Sequence, residues 1–204
     1  MEAWIVWSAW IAAAYFVGAV PFGYLIGRMR GVDVRTVGSK NIGATNVYRT
    51  VGKPWGFLAF FCDFAKGIAP TLACALWAEG HAGECASLVH LPVCVGLACI
   101  VGHTLTVFMR FRGGKGVATA FGVFLALLPL PTLLAFAVFV VAVWLSHYIS
   151  LGSMLAAATL GVAVWFVPAS PVLRAVADVV AVFVVVKHRS NISRIVHGCE
   201  NRIY

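Results

Sequence analysis

Three runs of the sequence are apolar for long enough to cross a bilayer, and a fourth is apolar for longer than one crossing needs. Ala3 to Ile26, Trp55 to Trp77 and Ala86 to Met109 each meet the requirement of about 20 residues for roughly 30 Å of hydrocarbon. The fourth, Val117 to Val186, is interrupted three times. Pro129-Leu130-Pro131 comes first, then Ser146-His147-Tyr148-Ile149-Ser150 with Gly152 and Ser153, then Pro168-Ala169-Ser170-Pro171. Proline and clustered small polar residues end helices, so this stretch reads as four short helices. The pattern predicts an all-α integral membrane protein, a bundle of about seven transmembrane helices forming a single domain over 1–204. The four pieces run only about 12 to 17 residues, which requires tilt or a thinned bilayer. A five-span reading, with two breaks absorbed as kinks, stays open. Gly23, Gly27 and Gly31 recur every four residues, the spacing of a close helix-packing face.

Charge orients the spans. Segment 28–54 carries Arg28, Arg30, Arg35, Lys40, Arg49 and Lys53 against Asp33. Segment 110–116 carries Arg110, Arg112 and Lys115, and the tail from 187 carries Lys187, Arg189, Arg194 and Arg202 against Glu200. These three segments hold 13 of the 15 basic residues, whereas segment 78–85 holds Glu79 and Glu84 and no base. The positive-inside rule therefore places the three segments and the C-terminus in the cytoplasm and the N-terminus outside. The first span contains no Lys or Arg before Arg28 and has Glu2 near its start. It lacks the basic n-region of a cleaved signal peptide and is expected to be retained.

Composition narrows the class. With 62% hydrophobic and 11% charged residues and a mean hydropathy of +0.95, the chain cannot cover a globule of its size with water-compatible surface. A cytosolic enzyme, a secreted disulfide scaffold and a disordered chain are excluded. The net charge of +8 follows from cytoplasmic loops and calls for no nucleic acid. Of the six cysteines, Cys62, Cys74, Cys94 and Cys99 lie in apolar runs, while Cys85 and Cys199 fall on opposite sides of the membrane. There is no C-x-x-C pair, so neither a disulfide framework nor a zinc site is expected.

The cytoplasmic segments carry candidate chemistry. Residues 38–49 read Gly-Ser-Lys-Asn-Ile-Gly-Ala-Thr-Asn-Val-Tyr-Arg. Small residues admit a ligand close to the backbone, Ser39, Asn41, Thr45 and Asn46 offer uncharged donors, and Lys40 and Arg49 offer charge. The set suits a phosphate, although the same residue types also make ordinary helix starts. Residues 113–119, Gly-Gly-Lys-Gly-Val-Ala-Thr, lead directly into an apolar helix. A glycine turn at a helix N-terminus presents N–H groups and positive dipole to an anion, and Lys115 adds a full charge. It is no Walker A loop, which needs G-x-x-x-x-G-K-[ST]. In the tail, His188 and Asn191 lie three apart, on one face if the helix continues. Asp63 and Lys66, within the second span, can pair at i, i+3. His103, near the inner end of the third, is open to a structural or a ligand-binding role. Both follow the rule that ionisable groups at membrane depth are paired or functional. Four polar patches, that around His147 included, thus meet one membrane face and fit two anionic ligands or one ligand with two phosphates.

These residues resemble the bacterial acyl-phosphate:glycerol-3-phosphate acyltransferase family (PlsY). The resemblance is carried by Gly18-Ala-Val-Pro-Phe-Gly-Tyr-Leu-Ile-Gly27, Gly38 to Arg49, Asp63-Phe-Ala-Lys-Gly67 and Gly102-His103 through Phe111 to Thr119. Ser150-Leu-Gly-Ser153 and His188-Arg-Ser-Asn-Ile192 complete it, in order along nearly the whole chain. Thr106 stands where the family often has proline, His147 where it often has arginine, and Ser190 where it often has an acid. The resemblance implies a seven-helix enzyme of the bacterial inner membrane with a cytoplasmic active site. It would acylate the 1-hydroxyl of glycerol 3-phosphate from a fatty acyl phosphate, giving lysophosphatidate and phosphate as the first step of phospholipid synthesis. His188, Ser39 and Lys115 are then the candidate catalytic residues. Arg49, Asn41, Asn46, Thr45, Gly113, Gly114, Gly116, Ser153, Asn191 and His103 are the candidate substrate-binding residues. No metal or cofactor is expected, and the partners are the two substrates and membrane lipid, with the chain acting as a monomer. Acyltransferases that use acyl-CoA or acyl-carrier donors rely on an H-x-x-x-x-D dyad. No histidine here has an Asp five positions on: His103 meets Phe108 and His188 meets Ser193. The alternative is a transporter of a phosphorylated metabolite or anionic lipid, which predicts polar groups through the midplane. Here only Asp63 and Lys66 reach inward.

Overall fold

The computed structural model describes residues 3–81, 83 and 86–203, so Glu2, Glu84 and Cys85 lie outside the described residues. Regular structure among the described residues is wholly helical. The chain forms two compact units, Met1–Leu127 and Leu128–Tyr204.

The first unit holds α1 (Ala3–Ala19), α2 (Phe22–Met29), α3 (Ala44–Thr50), α4 (Lys53–Gly80), α5 (Leu91–Thr104) and α6 (Val117–Leu127). Helix α4 is its spine and packs against α3, α5 and α6. Its buried positions, Gly56, Ala59, Asp63, Lys66, Gly67, Thr71, Cys74 and Ala78, fall three or four apart and so share one stripe. Small residues on that stripe bring backbones together: Gly56 lies against Tyr48 of α3, and Gly67 against Thr119 of α6. Helices α1 and α5 close in the same way at Gly18 against Cys99 and Gly102 against Tyr15. Large apolar side chains on the far face of α4, Phe57, Phe61, Leu72 and Leu76, are exposed, as a lipid-facing surface requires.

The first apolar run is not one helix. Pro21 has no N–H to continue the ladder, and α1 stops at Ala19. Two carbonyls at the break accept from side chains: Thr106 Oγ1 donates to Ala19 O at 2.6 Å, and Lys66 Nζ donates at 2.7 Å to Val20 O, which also accepts from Phe22 N at 3.1 Å. Thr106 is fully buried in this role. Pro70, by contrast, sits inside α4 without ending it. The Gly23-Gly27-Gly31 pattern also needs correction. Gly23 and Gly27 do pack, against Ile42 and Val34, but Gly31 has open space beside it and a φ of +74°, so it serves the turn after α2. Ile26, Val34, Ile42, Val47 and Ala59 form a small core that makes segment 30–52 a folded cap.

The second unit holds α7 (Pro129–Ser146), α8 (Ile149–Ala163), α9 (Pro171–Lys187) and α10 (Arg189–Val196). All three expected breaks are present. Leu128 separates α6 from α7, and His147 ends α7 at a left-handed φ of 64°. Ser170 caps α9 by accepting from Leu173 N at 3.2 Å, with Pro171 in the first turn. Among the described residues, five helical segments are long and apolar enough to cross a membrane: Trp4–Met29, Lys53–Gly80, Leu88–Met109, Pro129–Ser146 and Ile149–Phe166. Helices α6 and α9, with 11 and 17 residues, are shorter.

Candidate active site

Each unit carries its own share of the candidate residues. In the first, the cap before and within α3 is organised by one side chain. Asn46 is 1% exposed and spends both ends of its amide on the backbone. Its Oδ1 accepts from Ser39 N at 2.9 Å. Its Nδ2 faces Val34 O, Asn41 O and Val37 O at 2.8, 2.9 and 3.2 Å. Asn46 therefore builds the loop rather than presenting a donor at its surface. Gly38, at φ +58°, leaves room for that amide where a Cβ would strike it. Asn41 Oδ1 accepts from Gly43 N at 2.8 Å, a local turn bond. With the loop fixed, Ser39 and Lys40 are exposed, Lys40 at a φ of 57°, while Asn41, Thr45 and Arg49 are half-buried. Nearby, the Asp33 carboxyl is held down at about 2, chiefly by hydrogen bonds from the Arg35 side chain and backbone.

The glycine-rich turn lies over the end of α5. Gly113 N donates to Thr104 O and Gly114 N to His103 O, both at 3.2 Å, which satisfies carbonyls that the helix leaves unpaired. Gly114 and Gly116 are buried and Lys115 is half-buried, immediately before the first turn of α6. This is the geometry of a helix-start anion site with a fixed cation. Arg110 and Arg112, just upstream, are exposed. His103 is 5% exposed, beneath Gly114. Its Nδ1 is 3.5 Å from Asp63 Oδ1, and Asp63 pairs with Lys66 at 2.8 Å. The expected i, i+3 pair is thus formed, with His103 as its third member.

In the second unit, Ser153, His188 and Asn191 are all buried. His188 Nδ1 is 2.7 Å from Val184 O. A carbonyl can only accept, so Nδ1 carries the proton and Nε2 is left as the acceptor in the neutral ring. Ser153 Oγ donates to Ile149 O at 2.8 Å. Sequence reasoning missed the organiser of this group, Glu200, which is 7% exposed. Its Oε1 accepts from Asn191 Nδ2 at 2.8 Å and Ser150 Oγ at 2.9 Å, and its Oε2 from Arg194 Nε at 2.7 Å. Burial pushes its carboxyl up, but the bonds from Asn191, Arg194 and Ser150 outweigh this and hold it below the usual range. The signal was present as a lone acid in a tail of four cations. His147, half-buried, accepts Ile203 N on its carbonyl at 2.9 Å and so ties the chain end to the α7–α8 turn.

The family model for glycerol-3-phosphate acyltransferase matches residues 8–198. The chain belongs to this family. It is 49% identical to the glycerol-3-phosphate acyltransferase of Trichlorobacter lovleyi, over 95% of each chain. It is 41% identical to that of Fusobacterium nucleatum, over 94% of this chain and 95% of the other. Its fold matches the crystal structure of PlsY (YgiH), an integral membrane glycerol 3-phosphate acyltransferase, in its glycerol 3-phosphate form. The TM-score is 0.89 at 35% identity, covering 98% of this chain and 96% of that one. The same enzyme in its lysophosphatidic acid form matches with a TM-score of 0.86 at 34% identity. This acyltransferase is therefore an integral membrane enzyme, and the transporter alternative falls.

Proposed function

We propose that this acyltransferase takes its acyl group from a fatty acyl phosphate. The glycerol 3-phosphate 1-hydroxyl oxygen attacks the acyl carbon, the bond from that carbon to the phosphate oxygen breaks, and lysophosphatidate and inorganic phosphate leave. The observation that carries the donor reading is the missing dyad: none of the six histidines precedes an Asp by five positions. A mixed anhydride is already activated, so the protein has only to align two anions, offset their repulsion and stabilise the carbonyl oxygen. In this reading Lys115 and Arg49 bind phosphate groups, with Ser39, Asn41, Thr45 and the Gly113, Gly114 and Gly116 backbone beside them. Asn46 shapes their loop. Ser153, His188 and Asn191 position glycerol phosphate. The departing phosphate accepts the hydroxyl proton, and His188 Nε2 serves binding. The whole chain works as one domain and as a monomer, with seven helices in the bacterial inner membrane and the chemistry at the cytoplasmic face. Support comes from the family, from the two ligand forms of the related structure, and from the crowding of cations in three segments.

The test is phosphate release and lysophosphatidate formation by purified protein with palmitoyl phosphate and glycerol 3-phosphate, with palmitoyl-CoA in parallel. Both products are expected from acyl phosphate alone; product from the CoA ester alone overturns the donor. In the same assay His188→Gln should raise KM for glycerol 3-phosphate and spare kcat. A collapse of kcat with KM unchanged would make His188 the proton acceptor instead.

A further inference from the structure

We propose that His103 is a positioning residue: clamped by Asp63 and Lys66, it sets the height of the Gly113–Gly116 turn and so the place of the Lys115 ammonium. The inference rests on the reading that Lys115 binds a substrate phosphate.

The contacts form one chain through the first unit. Val20 O, at the break after α1, accepts from Lys66 Nζ at 2.7 Å. Lys66 pairs with Asp63 at 2.8 Å, and Asp63 Oδ1 faces His103 Nδ1 at 3.5 Å. On its other side, His103 Nε2 is the atom nearest to the place where Gly114 lacks a Cβ. The His103 carbonyl accepts from Gly114 N at 3.2 Å. Ring and carbonyl of one residue therefore support the turn from below, one residue before Lys115. The side chains of Asp63, Lys66 and His103 are only 2–5% exposed.

A buried ion pair is a poor staple, because desolvation offsets most of its attraction, and at membrane depth it is costlier still. Its distinctive contribution is direction. Asp63 is fixed by Lys66, which is itself fixed to a backbone carbonyl, and its carboxylate, 3.5 Å from Nδ1 and so beyond a hydrogen bond, biases the imidazole by charge. Lysine is a flexible cation with four rotatable stem bonds, and a rigid seat beneath its turn confines the ammonium to the anion site. A misplacement on the order of 1 Å is enough to cost a large factor in rate or affinity.

The experiment compares His103→Phe, Lys115→Arg and the double variant, varying each substrate in turn. Phenylalanine keeps a planar ring, somewhat larger than imidazole, and removes both nitrogens. Expected is a rise of about tenfold in KM for the substrate held by the turn, with kcat within about threefold. In the Lys115→Arg background the same change should add less than about twofold, because both residues act on one contact. Equal losses in both backgrounds, a fall in kcat with KM unchanged, or no change would each overturn the proposal. If His103→Phe does not fold, Asp63→Asn with Lys66→Met keeps an acceptor for the ring and loosens its clamp. The KM rise without a kcat loss is again expected, and its absence overturns the proposal. Inorganic phosphate titrated calorimetrically reads the turn without turnover, and binding should weaken about tenfold in His103→Phe. That arm keeps the inference separate from the acyltransfer reading, which fails only if the wild type makes no lysophosphatidate from acyl phosphate.

Discussion

At the scale of residues, the side chains that look like ligand donors in the sequence divide into those that face outward and those that build. Asn46 is the sharpest case. It lies in a row with Ser39, Asn41 and Thr45 and has the same composition-level credentials, yet its amide holds four backbone groups inside the cap. Nothing in the spacing separates a loop-building Asn from a ligand-binding one, because both need the same donors and acceptors. The distinction comes only from burial. Replacing Asn46 by Ala strands Ser39 N and three carbonyls, and the expected loss is about 2–4 kcal/mol. Thermal unfolding in detergent should show a lowered midpoint, and Ser39→Ala, at an exposed position, should leave it unchanged. Glu200 makes the complementary point in the tail: its three partners come from positions 150, 191 and 194, too scattered for a local pattern to reveal.

At the scale of elements, the apolar runs were legible because a bilayer imposes a length and a polarity that few other contexts share. The breaks at Leu128, His147 and Ser170 were legible through proline and serine chemistry. The break at Pro21 was not, and Pro70 explains why: the same residue type leaves α4 continuous. At Pro21 the break is built into the packing, because carbonyls beside it accept from distant side chains. Thr106 and Lys66 provide them for α1 from 46 to 87 residues away. Helix contact is likewise decided by small residues whose partners the sequence does not name. Gly67 touches the Thr119 backbone, whereas among the described residues nothing lies within 4 Å of a Cβ added at Gly80. Gly67→Ala must push α6 off α4 and should destabilise by about 1–3 kcal/mol. Gly80→Ala should be neutral or stabilise by up to about 1 kcal/mol through helix propensity. Paired unfolding midpoints measure both, and equal shifts would mean that α4 and α6 do not depend on this close approach.

At the scale of the whole molecule, the open quantity is how many times the chain crosses the bilayer. Helix α9 decides it, because its 17 residues span about 25 Å at 1.5 Å per residue, short of the roughly 30 Å of hydrocarbon. It also carries Arg174 and Asp178 in its first half. Those charges are accommodated locally: Arg174 lies over the Trp165 ring at 5.3 Å and donates to Val167 O at 3.2 Å, and Trp165 Nε1 donates to Asp178 Oδ2 at 3.3 Å. An aromatic ring, an arginine and a carboxylate gathered at one helix end form an interfacial anchor, and an anchor at that end lets a short helix cross with its Lys187 end at the opposite surface. The proposed seven-helix arrangement then predicts Ala169, before α9, outside and Cys199, after it, in the cytoplasm; Cys199 is an exposed free thiol. With Cys85 replaced by serine, an impermeant maleimide applied to intact cells should leave Cys199 unlabelled until the membrane is opened. Ala169→Cys, with Cys199 also replaced by serine, should label at once. Both positions responding alike would keep α9 on one side of the membrane, and the seven-helix arrangement would give way to one in which it lies along the surface.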